Sequence, residues 1–251
     1  NATAATLIAY KAETASVDVS DGTITSAFDA THDLDLTVNA ATASVLKITG
    51  TATQTAGTTN ELTITAYDTF GNTATVYSGS KTLTFSGLST SPDGNVPTVE
   101  GTNFGTGLSV TFTSGVGTAT TTTLIPFKAE TASVDVSDGT INSTGDPSYD
   151  LDLTVNAAAA DHLKVTGTTS MTAGANNELT VTAHDLYGNT ATSYTGAKNL
   201  TFSGLANSPN GNVPSVESTN FGSATSVTFT SGVSNATAAT LIAYKAETAS
   251  V

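Results

Sequence analysis

The chain has 251 residues, of which 38% are apolar and only 11% are charged, so it is long enough to bury one or two hydrophobic cores. Seven lysines and no arginine stand against 21 acidic residues, which gives a formal net charge of -14. That sign argues against binding to nucleic acid or anionic lipid, and the lack of cysteine excludes disulfides and thiolate chemistry.

Threonine is the most abundant residue, and Thr, Val and Ile alternate with polar residues along the chain. Such residues favour pleated strands, and one apolar face per strand is typical of an antiparallel sheet that is buried on one side. No stretch shows the 3.6-residue period of an amphipathic helix. In chain order, the alternation predicts inward-facing sets at Leu62, Ile64 and Ala66; Leu83 and Phe85; Val110 and Phe112; Val134 and Val136; and Leu151, Leu153 and Val155.

The sequence repeats with a period of 117 residues and without insertion or deletion. Residues 11–24 recur unchanged at 128–141, and about two-thirds of the positions in adjacent copies are identical. Residues 235–251 match residues 1–17 at all 17 positions, so the third copy repeats the first and not the second. This pattern predicts an A-B-A-B array of paired modules, with ends designed to overlap as the alternative.

An alanine-rich junction, Asn39-Ala40-Ala41, marks the predicted start of a module and recurs 117 residues later. Residues 1–39 (the leading segment) are then the last strands of a preceding module. Residues 40–156 (module 1) form a complete module, and residues 157–251 (module 2) form the next one without its final strand. About seven to nine strands per module predict a two-sheet β-sandwich. The unpaired edges left by such a cut predict that a neighbouring chain or a longer polymer supplies the missing strands.

A short turn motif is the most distinctive feature of both copies. It consists of Asp68-x-x-Gly71-Asn72 and Asp185-x-x-Gly188-Asn189, followed by Tyr77-x-Gly79 and Tyr194-x-Gly196. With the strands LKVTG, ELTVTAHDLYGNTATSYTG and SVTFTSG around it, the motif resembles the bacterial immunoglobulin-like repeats of invasin-type surface proteins. The resemblance implies an all-β fold of tandem immunoglobulin-like β-sandwich modules that serve as spacers or adhesive units on a cell surface. The loop at 88–103 is longer here, and no adhesive tip is evident.

Four aspartates are the candidate metal ligands: Asp33, Asp35, Asp150 and Asp152. Each pair lies on one strand face, and further aspartates (Asp18 and Asp21, Asp135 and Asp138) precede it in the chain. If these segments are neighbours, their oxygens could ligate calcium and stiffen the junction. The alternative is a solvated acidic face, because no loop matches an EF-hand or a Gly-rich calcium repeat. Asp68 could also hold a cation, but capping of backbone N–H groups in its turn is the simpler interpretation.

Enzymatic chemistry finds no support in the repeat. The three histidines, His32, His162 and His184, fall at non-equivalent positions, and no set of Ser, His and Asp recurs. A catalytic or metal-binding group would be expected in both copies. We therefore expect no enzyme activity, and no cofactor other than calcium.

Tandem modules that contact only their neighbours make an array whose length grows with copy number. The sequence thus predicts a structural repeat of an extracellular fibre, stalk or surface layer that extends or stiffens a cell-surface assembly. The alternative is an adhesive module whose SPDGNVP loops bind a glycan or a host protein. The expected partners are neighbouring identical modules, in the same chain or in a homopolymer, with no nucleic acid and no membrane span in this segment.

Overall fold

The computed structural model describes residues 5–27, 31–117 and 122–251, and all regular structure in these ranges is β-strand. Residues 1–4 and 28–30 of the leading segment lie outside them. The leading segment has β1 (Glu13–Val17) and β2 (Leu34–Val38). Module 1 has β3 (Val45–Thr49), β4 (Thr53–Thr55), β5 (Asn60–Glu61), β6 (Thr63–Tyr67), β7 (Gly79–Ser86), β8 (Thr98–Val99), β9 (Thr102–Asn103), β10 (Gly107–Thr113), β11 (Val116–Gly117), β12 (Thr123–Ile125), β13 (Glu130–Ser137) and β14 (Leu151–Asn156).

Module 2 repeats part of this order. It has β15 (His162–Thr166), β16 (Asn176–Glu178), β17 (Thr180–His184), β18 (Gly196–Thr201), β19 (Ser215–Val216), β20 (Thr219–Asn220), β21 (Ala224–Thr230), β22 (Val233–Ser234) and β23 (Thr240–Ile242). No helix in the described ranges is long and apolar enough to cross a membrane.

Module 1 is built from two sheets that share one core. The larger sheet has the order β3-β6-β11-β10-β7-β13-β14-β4, and the smaller one has the order β5-β12-β8-β9. Buried side chains from both sheets belong to one cluster, for example Leu46 and Phe112 from the larger sheet and Val99 and Leu124 from the smaller one. This arrangement is consistent with a β-sandwich.

The inward-facing residues that alternation predicts for module 1 are confirmed as its core. All twelve, from Leu62 to Val155, expose 8% of their surface or less. The number of strands is larger than the seven to nine predicted, because β3 to β14 make twelve in the described part of module 1. The additional strands are two-residue pairings such as β8 and β9, which lie in the predicted loop at 88–103 and are too short to show alternation.

The last strand of module 1 closes the larger sheet. β14 pairs antiparallel with β13, from Glu130↔Val155 to Val134↔Leu151, and parallel with β4, from Thr154↔Thr53 to Asn156↔Thr55. The parallel partner lies about 100 residues earlier in the chain, and therefore β14 joins the end of the module to its beginning. It brings Leu151, Leu153 and Val155 into the core.

The described residues of module 2 do not include the strands that complete the larger sheet of module 1. The sheets of module 2 have the orders β15-β17-β22-β21-β18 and β16-β23-β19-β20, without counterparts of β4, β13 and β14. As a result, Leu163 and Val165 are 42% and 36% exposed, whereas their equivalents Leu46 and Ile48 are 0% and 1% exposed. Equivalent positions are thus core in module 1 and partly exposed in module 2, whose described residues end before a counterpart of β14.

The leading segment forms a separate hairpin. β1 and β2 pair antiparallel from Glu13↔Val38 to Val17↔Leu34, and none of their residues is buried. Leu34 is the equivalent of Leu151 and is 57% exposed.

Because Leu151 and Leu34 have the same sequence context and opposite exposure, they make a matched pair. We expect Leu151→Ala to lower the free energy of unfolding by about 3 kcal/mol, through lost burial and a residual cavity. Leu34→Ala should change it by less than about 0.5 kcal/mol in dilute solution. Urea titration followed by circular dichroism measures both, and equal effects would contradict the closing role of β14.

Candidate functional site at the module junctions

The Asp-x-x-Gly-Asn motif folds into a turn around a buried carboxylate. Oδ1 of Asp68 accepts hydrogen bonds from the backbone N–H groups of Phe70 and Asn72, both at 2.9 Å. The Asp68 N–H donates to the Asn72 carbonyl at 2.9 Å, and Gly71 has φ +83°, a conformation that favours glycine. The predicted capping role of Asp68 is what the structure shows.

The second oxygen of the same carboxylate holds the entry to the module. Oδ2 of Asp68 accepts the Ala41 N–H and the Asn72 side-chain amide, both at 2.9 Å. Burial raises the pKa of this carboxyl, but the hydrogen bonds from Asn72, Ala41 and Phe70 outweigh it and lower the pKa to about 2. The ionised carboxylate thus fixes the chain at Ala41, the last residue of the Asn39-Ala40-Ala41 junction.

The asparagine of the motif extends away from its own module to the preceding one. Oδ1 of Asn72 accepts the Ala12 N–H at 2.8 Å, and its Nδ2 donates to the Tyr10 carbonyl at 2.7 Å. One side chain therefore satisfies a donor and an acceptor two residues apart on the leading segment.

Module 2 repeats the turn with the same atoms. Oδ1 of Asp185 accepts the N–H groups of Tyr187 and Asn189 at 2.9 Å. Its Oδ2 accepts the Ala158 N–H and the Asn189 amide, also at 2.9 Å. Ala158 stands 117 residues after Ala41, so the entry to each module is held in the same way.

The asparagine of module 2 likewise contacts module 1. Oδ1 of Asn189 accepts the Ala129 N–H, and its Nδ2 donates to the Phe127 carbonyl, both at 2.8 Å. Asn189 is only 4% exposed. We call the Asp and Asn side chains of the motif, with the backbone groups they bind, the junction latch; it is present at both junctions.

An aromatic pair accompanies each latch. The ring centroids of Tyr10 and Phe70 are 5.0 Å apart at one junction, and those of Phe127 and Tyr187 are 5.1 Å apart at the other. Interplanar angles of 56° and 54° show the same packing, although the two ring types have exchanged sides. Each junction thus combines one tyrosine with one phenylalanine.

Further contacts join module 1 to Tyr187. A Cβ on Gly57 would stand 1.9 Å from the Tyr187 hydroxyl, so glycine leaves the space that this ring needs. The Asp93 N–H donates to the Tyr187 carbonyl at 3.2 Å, and the Asp93 carboxylate packs against Gly188. The SPDGNVP loop of module 1, predicted as an adhesive surface in the alternative interpretation, therefore lies at the junction.

Two of the aspartates predicted as calcium ligands accept hydrogen bonds from serines. Asp35 accepts a hydrogen bond from Ser16 at 2.9 Å, and Asp152 accepts one from Ser133 at 2.6 Å. Within residues 5–27, 31–117 and 122–251, no group of three or more His, Cys, Asp or Glu side chains is arranged to hold a metal ion. Calcium binding by Asp33, Asp35, Asp150 and Asp152 stays a prediction.

The aspartates that precede these pairs also bind within their own segments. Ser26 and Ser143 donate to Asp18 and Asp135, both at 3.0 Å. Asp138 caps its turn by accepting the Thr140 and Ile141 N–H groups at 2.8 Å, and it also accepts the Tyr77 hydroxyl at 2.6 Å. Asp21 caps the equivalent turn of the leading segment at the same distances.

The surroundings of Asp150 disfavour its ionised form. Burial raises the pKa of its carboxyl, and the nearby charges of Asp152 and Asp135 raise it further. One of its carboxylate oxygens is buried without a hydrogen-bond partner, as is one oxygen of Asp33. The ionised form of Asp150 therefore destabilises the folded module.

Sequence reasoning found the aspartate of the motif and missed its asparagine. The signal was present, because Asn72 and Asn189 recur at the same place although the two modules differ at about a third of their positions. What the sequence did not show is that this side chain extends beyond its own turn, which depends on how the neighbouring module packs.

No protein-family model matches the chain. No curated protein matches it either. Among solved structures, it is similar to one described as "Structure of surface layer protein SbsC, domains 1-6", with 19% sequence identity and a TM-score of 0.25. The similarity covers 91% of this chain and 28% of that chain, so the chain spans less than a third of its length. A TM-score this low does not establish a shared arrangement, and the immunoglobulin-like, invasin-type resemblance stays a prediction.

The low pKa of Asp68 predicts that its contribution to the stability of the fold is lost in acid. A carboxyl whose pKa is lower in the folded state contributes stability above its unfolded pKa and loses it as the pH falls through the folded pKa. We expect Asp68→Asn to lower the melting temperature at pH 7, and the difference from the unsubstituted chain to shrink between about pH 4 and pH 2. Melting curves across this range measure it, and a difference that is independent of pH would contradict the ionised latch.

The raised pKa of Asp150 predicts that its substitution has the opposite effect on stability. Because its pKa is raised, Asp150→Asn should raise the melting temperature at pH 7 and have little effect in acid, where the carboxyl is neutral in both states. Asp161→Asn removes the same charge from an exposed site of module 2 and serves as the control. If calcium binds here, millimolar calcium should raise the melting temperature of the unsubstituted chain and not that of Asp150→Asn.

Proposed function

We propose that this chain is a structural repeat of an extracellular fibre, stalk or surface layer, built from tandem immunoglobulin-like β-sandwich modules and without enzymatic activity. The observation that carries the proposal is the junction latch, which recurs at both junctions with the same atoms and with distances that agree to about 0.1 Å. A flexible string of independent domains needs no such repeated contact, whereas an array with a fixed direction along its length does.

The distribution of polar groups supports a rigid connection. Asn189 is buried and bonds both to its own module, through Asp185, and to the preceding one. Breaking it would leave two backbone groups of module 1 without partners in a partly buried position, which is costly. A bend at the junction that breaks these hydrogen bonds is therefore energetically unfavourable.

The location of the SPDGNVP loop also favours the structural role over adhesion. In module 1 this loop contacts module 2 through Asp93, so its contacts serve the connection between modules. The composition fits an exposed extracellular setting, with a net charge of -14, no cysteine and one methionine, which leaves few groups open to oxidation.

Spin labels can test the rigidity directly, because the chain has no cysteine of its own. Val76→Cys in module 1 and Thr228→Cys in module 2 place one label on each module. Pulsed electron resonance should give a narrow distance distribution, and adding Asn189→Ala should broaden it and lower the free energy of unfolding of module 2 by about 2 kcal/mol.

Asn199→Ala is the control, because it makes the same chemical change on an exposed strand position of module 2 away from the junction. It should leave the distance distribution unchanged. A broad distribution in the chain with an intact latch would count against a rigid array, and an adhesive or purely flexible role would then be the better proposal.

A further inference from the structure

The tip of the SPDGNVP loop differs between the two modules by a single residue. Module 1 reads SPDGNVP at residues 91–97 and module 2 reads SPNGNVP at residues 208–214, so Asn210 stands where module 1 has Asp93. Asn210 is followed by Gly211, and no other asparagine of the 251 residues precedes a glycine. An asparagine loses its amide when the backbone nitrogen of the next residue attacks its side chain, and glycine has no β-carbon to shield that nitrogen.

Both loop tips fold into the same tight turn. The Ser208 N–H donates to the Asn212 carbonyl, and the Gly211 N–H donates to the Ser208 carbonyl, both at 2.9 Å. The equivalent residues of module 1 form the same two hydrogen bonds at the same distances. Asparagine and aspartate therefore fit this position with the same backbone.

The side-chain hydrogen bonds of the two turns differ at the amide. Oδ1 of Asn210 accepts a hydrogen bond from the Ser208 hydroxyl and another from the Asn212 amide, the latter at 3.2 Å. In module 1 the Ser91 hydroxyl donates instead to Oδ1 of Asn95, at 3.2 Å. Two donors on the Asn210 oxygen stabilise the negative charge that develops there when a nucleophile attacks Cγ.

Solvent reaches the reacting groups of this turn. Asn210 and Gly211 are exposed, and a Cβ on Gly211 would meet open space. Asp93 and Gly94 of module 1 are also exposed, although their loop contacts the following module through Tyr187. The loop tip therefore remains accessible to water beside a neighbouring module.

We propose that Asn210 is a site of spontaneous deamidation, which gives module 2 the aspartate that module 1 carries at Asp93. The hydrogen bond from Gly211 to the Ser208 carbonyl opens, and base removes the proton of the Gly211 N–H. The Gly211 nitrogen then forms a bond to Cγ of Asn210, and the bond from Cγ to Nδ2 breaks. Nδ2 takes up a proton and leaves as ammonia, so a five-membered succinimide remains.

Water completes the reaction without an oxidant, a reductant or a cofactor. It adds to one of the two carbonyl carbons of the succinimide, whose bond to the Gly211 nitrogen breaks, and that nitrogen regains its proton. Cleavage at Cγ gives aspartate and restores the original main chain. Cleavage at the main-chain carbonyl gives isoaspartate, in which the main chain runs through Cγ.

The aspartate product adds a negative charge to a loop tip that serves the junction in module 1. There the Asp93 carboxylate packs against Gly188 of module 2, and the Asp93 N–H donates to the Tyr187 carbonyl. Deamidation makes residues 208–214 identical in sequence to residues 91–97, and the charge accumulates with the age of the protein. The reaction depends on the loop alone and does not rest on the proposed structural role.

Prolonged incubation of the purified chain at neutral pH in water enriched in oxygen-18, followed by proteolysis and mass spectrometry, tests the proposal. We expect position 210 to lose its amide with time, a gain of about 1 Da in ordinary water, and to take up one labelled oxygen. Fragmentation should show both aspartate and isoaspartate there. Asn95 and Asn212 lie in the same loops but precede valine, and they serve as internal controls that should keep their amides.

Two variants separate the proposed reaction from general hydrolysis. Gly211→Ala places a β-carbon beside the attacking nitrogen and should slow the loss of the amide by at least about tenfold. Gly94→Ala makes the same change in module 1, at a glycine with nearly the same φ, and should leave the rate at Asn210 unchanged. Asn210→Gln keeps the glycine and should stay unmodified, because its cyclisation needs a six-membered ring.

An Asn210 that keeps its amide throughout the incubation overturns the proposal. Loss of the amides of Asn95 and Asn212 at the rate of Asn210 also overturns it, because the following glycine would then have no role. A rate at Asn210 that Gly211→Ala leaves unchanged has the same meaning.

Discussion

The module depends on closure of its larger sheet by its own last strand. β14 lies between β13 and β4 and so connects the last residues of module 1 to its first ones. Where no such strand is present, apolar side chains of the first strand are partly exposed, as Leu163 and Val165 are in module 2. The burial of Leu151, Leu153 and Val155 in the core of module 1 follows from the placement of this strand.

The strand that completes module 1 is also the strand that leads into module 2. β14 ends at Asn156, and two residues later the N–H of Ala158 is bound by the Asp185 carboxylate of the next module. The strand that completes one core therefore leads into the turn that begins the next, with a single residue, Ala157, between them. Little slack remains in this connection, and the latch through Asn189 adds a second link beside it.

The sequence predicted those features that depend on local pattern. The alternation from Leu62 to Val155 identified the core of module 1, because side-chain period alone decides which face of a strand is buried. The parallel pairing of β14 with β4 was not predictable in this way, because it joins segments about 100 residues apart whose own sequences are compatible with many partners. Two-residue strands such as β8 and β9 were missed because they are shorter than one period. At the junction, Asp68 was predictable from turn chemistry, whereas Asn72 bonds to a neighbouring module that its local sequence does not describe.

The latch binds the main chain of the preceding module and not its side chains. Asn72 and Asn189 each bind one N–H and one carbonyl, and any residue other than proline offers both at those positions. Side-chain substitutions in the segment of the preceding module that the latch binds can therefore accumulate without loss of these hydrogen bonds. Gene duplication and unequal recombination, which insert or delete whole repeats and bring divergent copies side by side, would leave every new junction able to form. An array of this kind can change its length over generations while each connection remains intact.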